Sequence, residues 1–209
     1  MPCENKNWVS PACRNEETDP SALRDEFFWL YAINKASVVV NSSIGLLEPK
    51  LARRIAAGLQ AVYAKGCVKG APRPFRVIDF EPKLIEEAGV EATMLHVGRS
   101  SQDMHATYRS TIMRDNLNSL MRALLAVMNT LEAMARANVD TIVPNYTNGV
   151  AAQPNSYAHY LLGFLSAFNR DAERLRELYA RINECAMGTT VLNGTSWPLD
   201  REKMSSYLG

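Results

Sequence analysis

From His105 to Asn138 the chain contains neither proline nor glycine, and this run limits the possible folds more than any other feature. Met113, Leu117, Leu120, Leu124, Val127, Leu131 and Met134 recur at alternating steps of four and three, the seam of one long amphipathic helix. At about 1.5 Å per residue, roughly 34 residues span about 50 Å. A second periodic run follows a polar connector: Tyr157, Leu161, Phe164, Phe168, Ala172, Leu175, Tyr179 and Ile182. Two such helices predict the antiparallel arms of a bundle. Within 209 residues there is too little other chain to cover helices of this length, so partner helices are expected from other subunits or from further chain.

The segments upstream are shorter. Residues 1–20 are polar and contain prolines, and read as an extended arm. A helical pattern starts near Ser21, although Val38-Val39-Val40 inside it could equally be a strand. A second helix is expected over 48–66, with Pro49 in its first turn and Gly66 as its stop. A loop marked by Gly70, Pro72 and Pro74 precedes a short helix that ends at Gly89. The fold class expected is therefore all-α. An arm (1–20) and an N-terminal helical domain (21–103) lead into the start of a bundle of long helices (104–209).

Composition narrows the function classes. Lys plus Arg number 23 against 22 Asp plus Glu, so neither nucleic acid nor an anionic membrane is an expected partner. Four scattered cysteines without a C-x-x-C pair suggest reduced thiols in the cytoplasm. His96, His105 and His159 lack zinc-site spacing, and no metal or cofactor is expected. No apolar leader opens the sequence, and no apolar run is long enough to span a membrane.

Three polar segments could carry chemistry. "HVGRSSQDMHATYR" (96–109) crowds Ser100, Ser101, Gln102 and Asp103 at a helix start, where unpaired N–H groups attract anions. The same residues could simply cap the helix, through Ser101 or Asp103. "PNYTNGVAAQPNS" (144–156) carries hydroxyls and amides but no charge and no histidine. "AMGTTVLNGTSWPLDRE" (186–202) breaks a helix at Gly188 and Gly194 and restarts it near Asp200. None contains a paired-carboxylate, Ser-His-Asp or phosphate-loop pattern.

Taken in order, these segments resemble the argininosuccinate lyase and δ-crystallin family of the fumarase/aspartase superfamily. "HVGRSSQD" is similar to its H-T-G-R-S-R-N-D segment, and "VPNYTNGVAAQPNSYAHYLLGF" to its M-P-G-Y-T-H-x-Q-x-A-Q-P stretch. "MGTTVLNGTSWPLDRE" is similar to L-G-S-G-A-L-A-G-T-x-x-P-[IL]-D-R-E, and "INKASVVVNSSIGLL" fits the early helix with its S-K-A. The match runs from about residue 24 to the end of the sequence.

The resemblance implies a mainly helical, homotetrameric carbon–nitrogen lyase acting on a small anionic, amino-acid-derived substrate. Lys35 matches the family's substrate-site lysine. Ser100 and Gln102 fall where serine and asparagine hold the substrate, Thr147 matches a carboxylate donor, and Gln153 with Pro154 matches the A-Q-P turn. Three departures stand out. Ser101 replaces an arginine, Gln102 an asparagine, and Asn148 the proton-handling histidine. An amide cannot titrate near neutral pH, so Asn148 cannot be a general acid. The family's glycine- and serine-rich loop, which carries its serine base, is absent, so the chain is expected to be an N-terminal portion. A non-catalytic protein on this scaffold and a cycloisomerase of the same superfamily are the alternatives. Whether His105 or His159 takes over proton transfer is open, though a packed core role is the expectation for His159.

Overall fold

A computed structural model describes residues 19–190 and 192–209; the expected arm over 1–20 lies outside the described residues except for its last two. Among the described residues the regular elements are helical apart from one two-stranded antiparallel sheet. The α-helices and strands are α1 (Glu26–Ser43), α2 (Pro49–Gly66), α3 (Val77–Ala88), α4 (Ser101–Ala137), β1 (Ile142–Thr147), β2 (Val150–Ser156), α5 (Tyr157–Ile182) and α6 (Arg201–Leu208), with short 3-10 helices at Pro20–Ala22 and Val90–His96. They group into two compact units. One holds the described residues up to Asp115 together with Asn183–Gly209, and the other holds Asn116–Ile182.

The first unit is built on α1. Asp25 starts this helix by accepting the Phe28 N–H at 3.1 Å. The same carboxylate takes a two-pronged contact from Arg73, each bond 2.7 Å. Both partners are largely withdrawn from water, so the pair and the cap reinforce one another. The helix runs straight through Val38–Val40, and the strand alternative fails there. Leu30, Ile33, Ser37 and Val40 are nearly fully buried at helical spacing, and packing of that stripe outweighs the weak helix propensity of valine. Against it lie Ile55, Leu59 and Val62 of α2 and Phe80 and Leu84 of α3, in one continuous core. Arg24 and Trp29 both donate to Asp115, at 2.9 and 3.1 Å, which ties the start of α1 to α4.

In the second unit the seam read from the sequence divides in two. Leu117 is buried and Leu124 and Leu131 are half-buried. Leu120, Val127 and Met134, with Met113 one heptad earlier on the same helix, are 39–54% exposed. The connector between the long helices is not an irregular loop but a β-hairpin. β1 and β2 pair from Ile142↔Ser156 to Thr147↔Val150, and Ala152 is left as a bulge where the register shifts. Asn148 (φ 48°) and Gly149 (φ 80°) form its two-residue turn. Asn-Gly is the dipeptide that such a left-handed turn favours.

Candidate functional site

Ser100, Ser101 and Gln102 stand at the first turn of α4, and local hydrogen bonding explains why the helix begins there. The Ser100 hydroxyl accepts the N–H groups of Gln102 (3.2 Å) and Asp103 (3.5 Å). In return, Asp103 Oδ1 accepts the Ser100 N–H at 2.9 Å. This is a capping box of the S-x-x-D type. Capping is therefore realised at this turn, through Ser100 with Asp103 and not through Ser101, and it uses up two of the N–H groups that an anion could otherwise take. The side chains of Ser101 and Gln102 make no hydrogen bond among the described residues, and Gln102 is exposed.

The third polar segment is joined to this turn. Ser100 Oγ donates to the Thr190 carbonyl at 3.1 Å, and the Gly188 N–H donates to Asp103 Oδ2 at 3.3 Å. Asp103 is 2% exposed. Burial raises its pKa above the usual carboxylate value, while the backbone N–H groups around it oppose that shift. Two segments some 90 residues apart in sequence thus meet at one serine.

Lys35 is on α1 in the same unit. Its side chain is exposed, with Nζ 5.4 Å from the Tyr31 ring centroid. Arg99 links its helix to the capped turn, donating to Asn34 Oδ1 at 2.7 Å and to Ser37 Oγ at 3.0 Å. Burial presses the Arg99 pKa down to about 10, against the pull of Glu81 and Asp103; it remains a cation at neutral pH. His96, beside it, is held down to about 4 by burial and by the Arg99 charge. Its Nε2 lies 2.9 Å from Glu81, a contact that neutral imidazole makes as a donor.

Thr147, Asn148 and Gln153 belong to the hairpin of the second unit, and all three are exposed. Thr147 pairs with Val150 and Gln153 with Asn145. Asn148 has a backbone role that no titratable group is needed for, since it supplies the first left-handed residue of the turn. The two histidines left open as proton carriers are placed differently. His105 Nε2 accepts the Val77 N–H at 3.4 Å, and burial and the neighbouring Arg109 lower its pKa. His159, expected to be packed in a core, is instead exposed near the start of α5. Its position one turn past the strand puts it on the outer face while Ala158 and Leu161 turn inward.

Arg99 and Asp103 organise this turn, and the sequence pattern points to no role for either beyond a possible cap at Asp103. The Ser100–Asp103 spacing was a readable signal. The partners of Arg99 lie 62 and 65 residues away, and no local pattern reveals them. No group of three or more metal-ligating side chains occurs among the described residues, and none of their helices is long and apolar enough to cross a membrane.

The profile of a family described as "Lyase" matches residues 76–209. An argininosuccinate lyase of Caldanaerobacter subterraneus subsp. tengcongensis is 32% identical over 176 residues, covering 84% of this chain and 38% of that protein. Among solved structures, an EDDS lyase variant with bound fumarate superposes with a TM-score of 0.81 at 30% identity, covering 87% of this chain and 36% of that one. A β-carboxy-cis,cis-muconate cycloisomerase from Acinetobacter calcoaceticus shares the fold, with a TM-score of 0.69 at 20% identity over 88% of this chain and 46% of its own. The chain thus spans 36–46% of the length of these relatives.

Proposed function

Because the chain belongs to the argininosuccinate lyase-like family of the fumarase/aspartase superfamily, we propose that it is part of a carbon–nitrogen lyase acting on an N-substituted succinate. In this reaction a base removes the proton from the carbon next to one carboxylate. The electron pair left behind forms the carbon–carbon double bond, the carbon–nitrogen bond breaks, and the amine departs with a proton, leaving fumarate. The enzyme must hold the carboxylates, stabilise the charge that develops on one of them, and assist the nitrogen.

The observation that carries this reading is the capped turn at Ser100. It is fixed by Asp103, Arg99 and the 187–190 segment, and it presents Ser101 and Gln102 as uncommitted donors. The backbone of the turn is held in place, which lowers the reorganisation needed to bring donors on it to a developing charge. Lys35 supplies a cation, and Thr147 and Gln153 supply donors on the hairpin. Ser101 stands where the family has an arginine, so one charge-assisted carboxylate contact is weaker here. That change favours a substrate other than argininosuccinate.

Assembly is part of the same proposal. Met113, Leu120, Val127 and Met134 expose an apolar stripe at heptad spacing, which supports a homotetramer formed through the long helices. Asn148 favours a second reading, a non-catalytic protein on the lyase scaffold, because the residue in the family's acid position cannot titrate. Incubating the natural polypeptide with a panel of N-substituted succinates and following fumarate absorbance decides between them. Fumarate from at least one substrate is the expected result. A folded, assembled protein that releases none supports the scaffold reading, and release of a lactone supports a cycloisomerase.

A further inference from the structure

We infer that Arg99 is a positioning residue, which sets the Ser100 turn against the helix that bears Lys35; this rests on the lyase reading only in what it says about substrate. The geometry is specific. The guanidinium grips Asn34 and Ser37, the residue before Lys35 and the second residue after it, at 2.7 and 3.0 Å. Asn34 and Ser37 are 3% and 1% exposed, and each also donates back to its own helix, to the Leu30 and Ile33 carbonyls. Their oxygens are thereby oriented toward Arg99. The backbone of Arg99 leads directly into Ser100, whose N–H is held by Asp103. A shift of the fork therefore moves the substrate-holding turn relative to the lysine helix.

The choice of residue also points to positioning and not to mere packing. Both partners of the fork are neutral, and Arg99 makes no ion pair among the described residues. Its Nε is buried without a partner. Joining two elements through a buried cation costs more than joining them through an amide or an apolar contact of equal length. What arginine adds is a rigid planar fork with two diverging bonds, which lysine cannot reproduce. Beside it lies a cavity of about 20 Å³, lined in part by Ser37, Asn41, Arg99, Gly188 and Arg201. That volume holds one water and excludes any substrate, so Arg99 acts on the substrate only through the turn.

The test uses Arg99→Lys and Ser37→Ala in the natural polypeptide, with steady-state kinetics and amide hydrogen exchange. For Arg99→Lys the expected result is a KM raised about tenfold with kcat within about threefold. Exchange of the amides at 100–103 should be about tenfold faster while the α2 amides are unchanged. Ser37→Ala should raise KM about threefold, and the double variant should be no worse than Arg99→Lys alone. A purely structural role predicts instead a lower melting temperature, uniformly faster exchange and an unchanged KM, and that outcome overturns the inference. If Arg99→Lys does not fold, Ser37→Ala decides by the same measures. If the wild type releases no fumarate, the lyase reading fails, and local loss of protection at 100–103 still decides the role of Arg99.

Discussion

His96 shows how a single buried group records the charge balance of its surroundings. Burial and Arg99 hold its pKa at about 4, against about 6.5 in an unfolded chain. The unfolded state therefore binds more protons between these values. The stability contributed by neutral His96 is present in full above pH 6.5 and is lost as the pH falls through about 4. The nearby Glu81 carboxylate and partial solvent access reduce the effect, which should amount to about 2 kcal/mol at most. Urea unfolding from pH 7 to pH 4 should show this slope, and His96→Gln should flatten it. At Asn148 the conformation is the telling fact. With φ at 48°, Asn148→Ala should cost the second unit about 1 kcal/mol, whereas Asn148→Gly should cost little, as the thermal midpoint would report.

Among elements, α1 depends on one residue at its start. Asp25→Ala removes the helix cap and leaves Arg73 buried without its carboxylate, so a loss of about 3–5 kcal/mol is expected in denaturant unfolding. Gly98 is the second such point. Its φ is 67°, and an added Cβ would lie 2.4 Å from Leu199, so Gly98→Ala should cost about 2 kcal/mol and loosen the 187–200 segment. How legible each element was follows from how local its causes are. The long helices were written in the periodicity of Leu117–Leu131 and Leu161–Leu175, because a repeating face needs no knowledge of its partner. The hairpin was also local, in Asn148-Gly149, but its flanking strands are exposed and short, and their alternation was obscured by Pro144, Pro154 and the Ala152 bulge. The organisation around Ser100 was only half legible. The capping spacing to Asp103 is local, whereas the Thr190, Gly188 and Arg99 contacts depend on chain brought back from far away.

For the whole molecule, the exposed stripe of α4 sets the next prediction. Leu120→Glu with Val127→Glu places charges on that apolar face, and light scattering should then find smaller assemblies than the wild type forms. If the wild type is itself monomeric as a natural polypeptide, the tetramer is wrong. Carbon–nitrogen bond breaking on a succinate skeleton, as proposed above, can be followed in reverse. The natural polypeptide should be incubated with fumarate and a panel of amines in deuterated water, with the product followed by proton NMR. The expected product is an N-substituted succinate carrying a single carbon-bound deuterium, on the carbon adjacent to the one bonded to nitrogen. Fumarate left unchanged with every amine, by a protein shown to be folded and assembled, would contradict the proposed reaction.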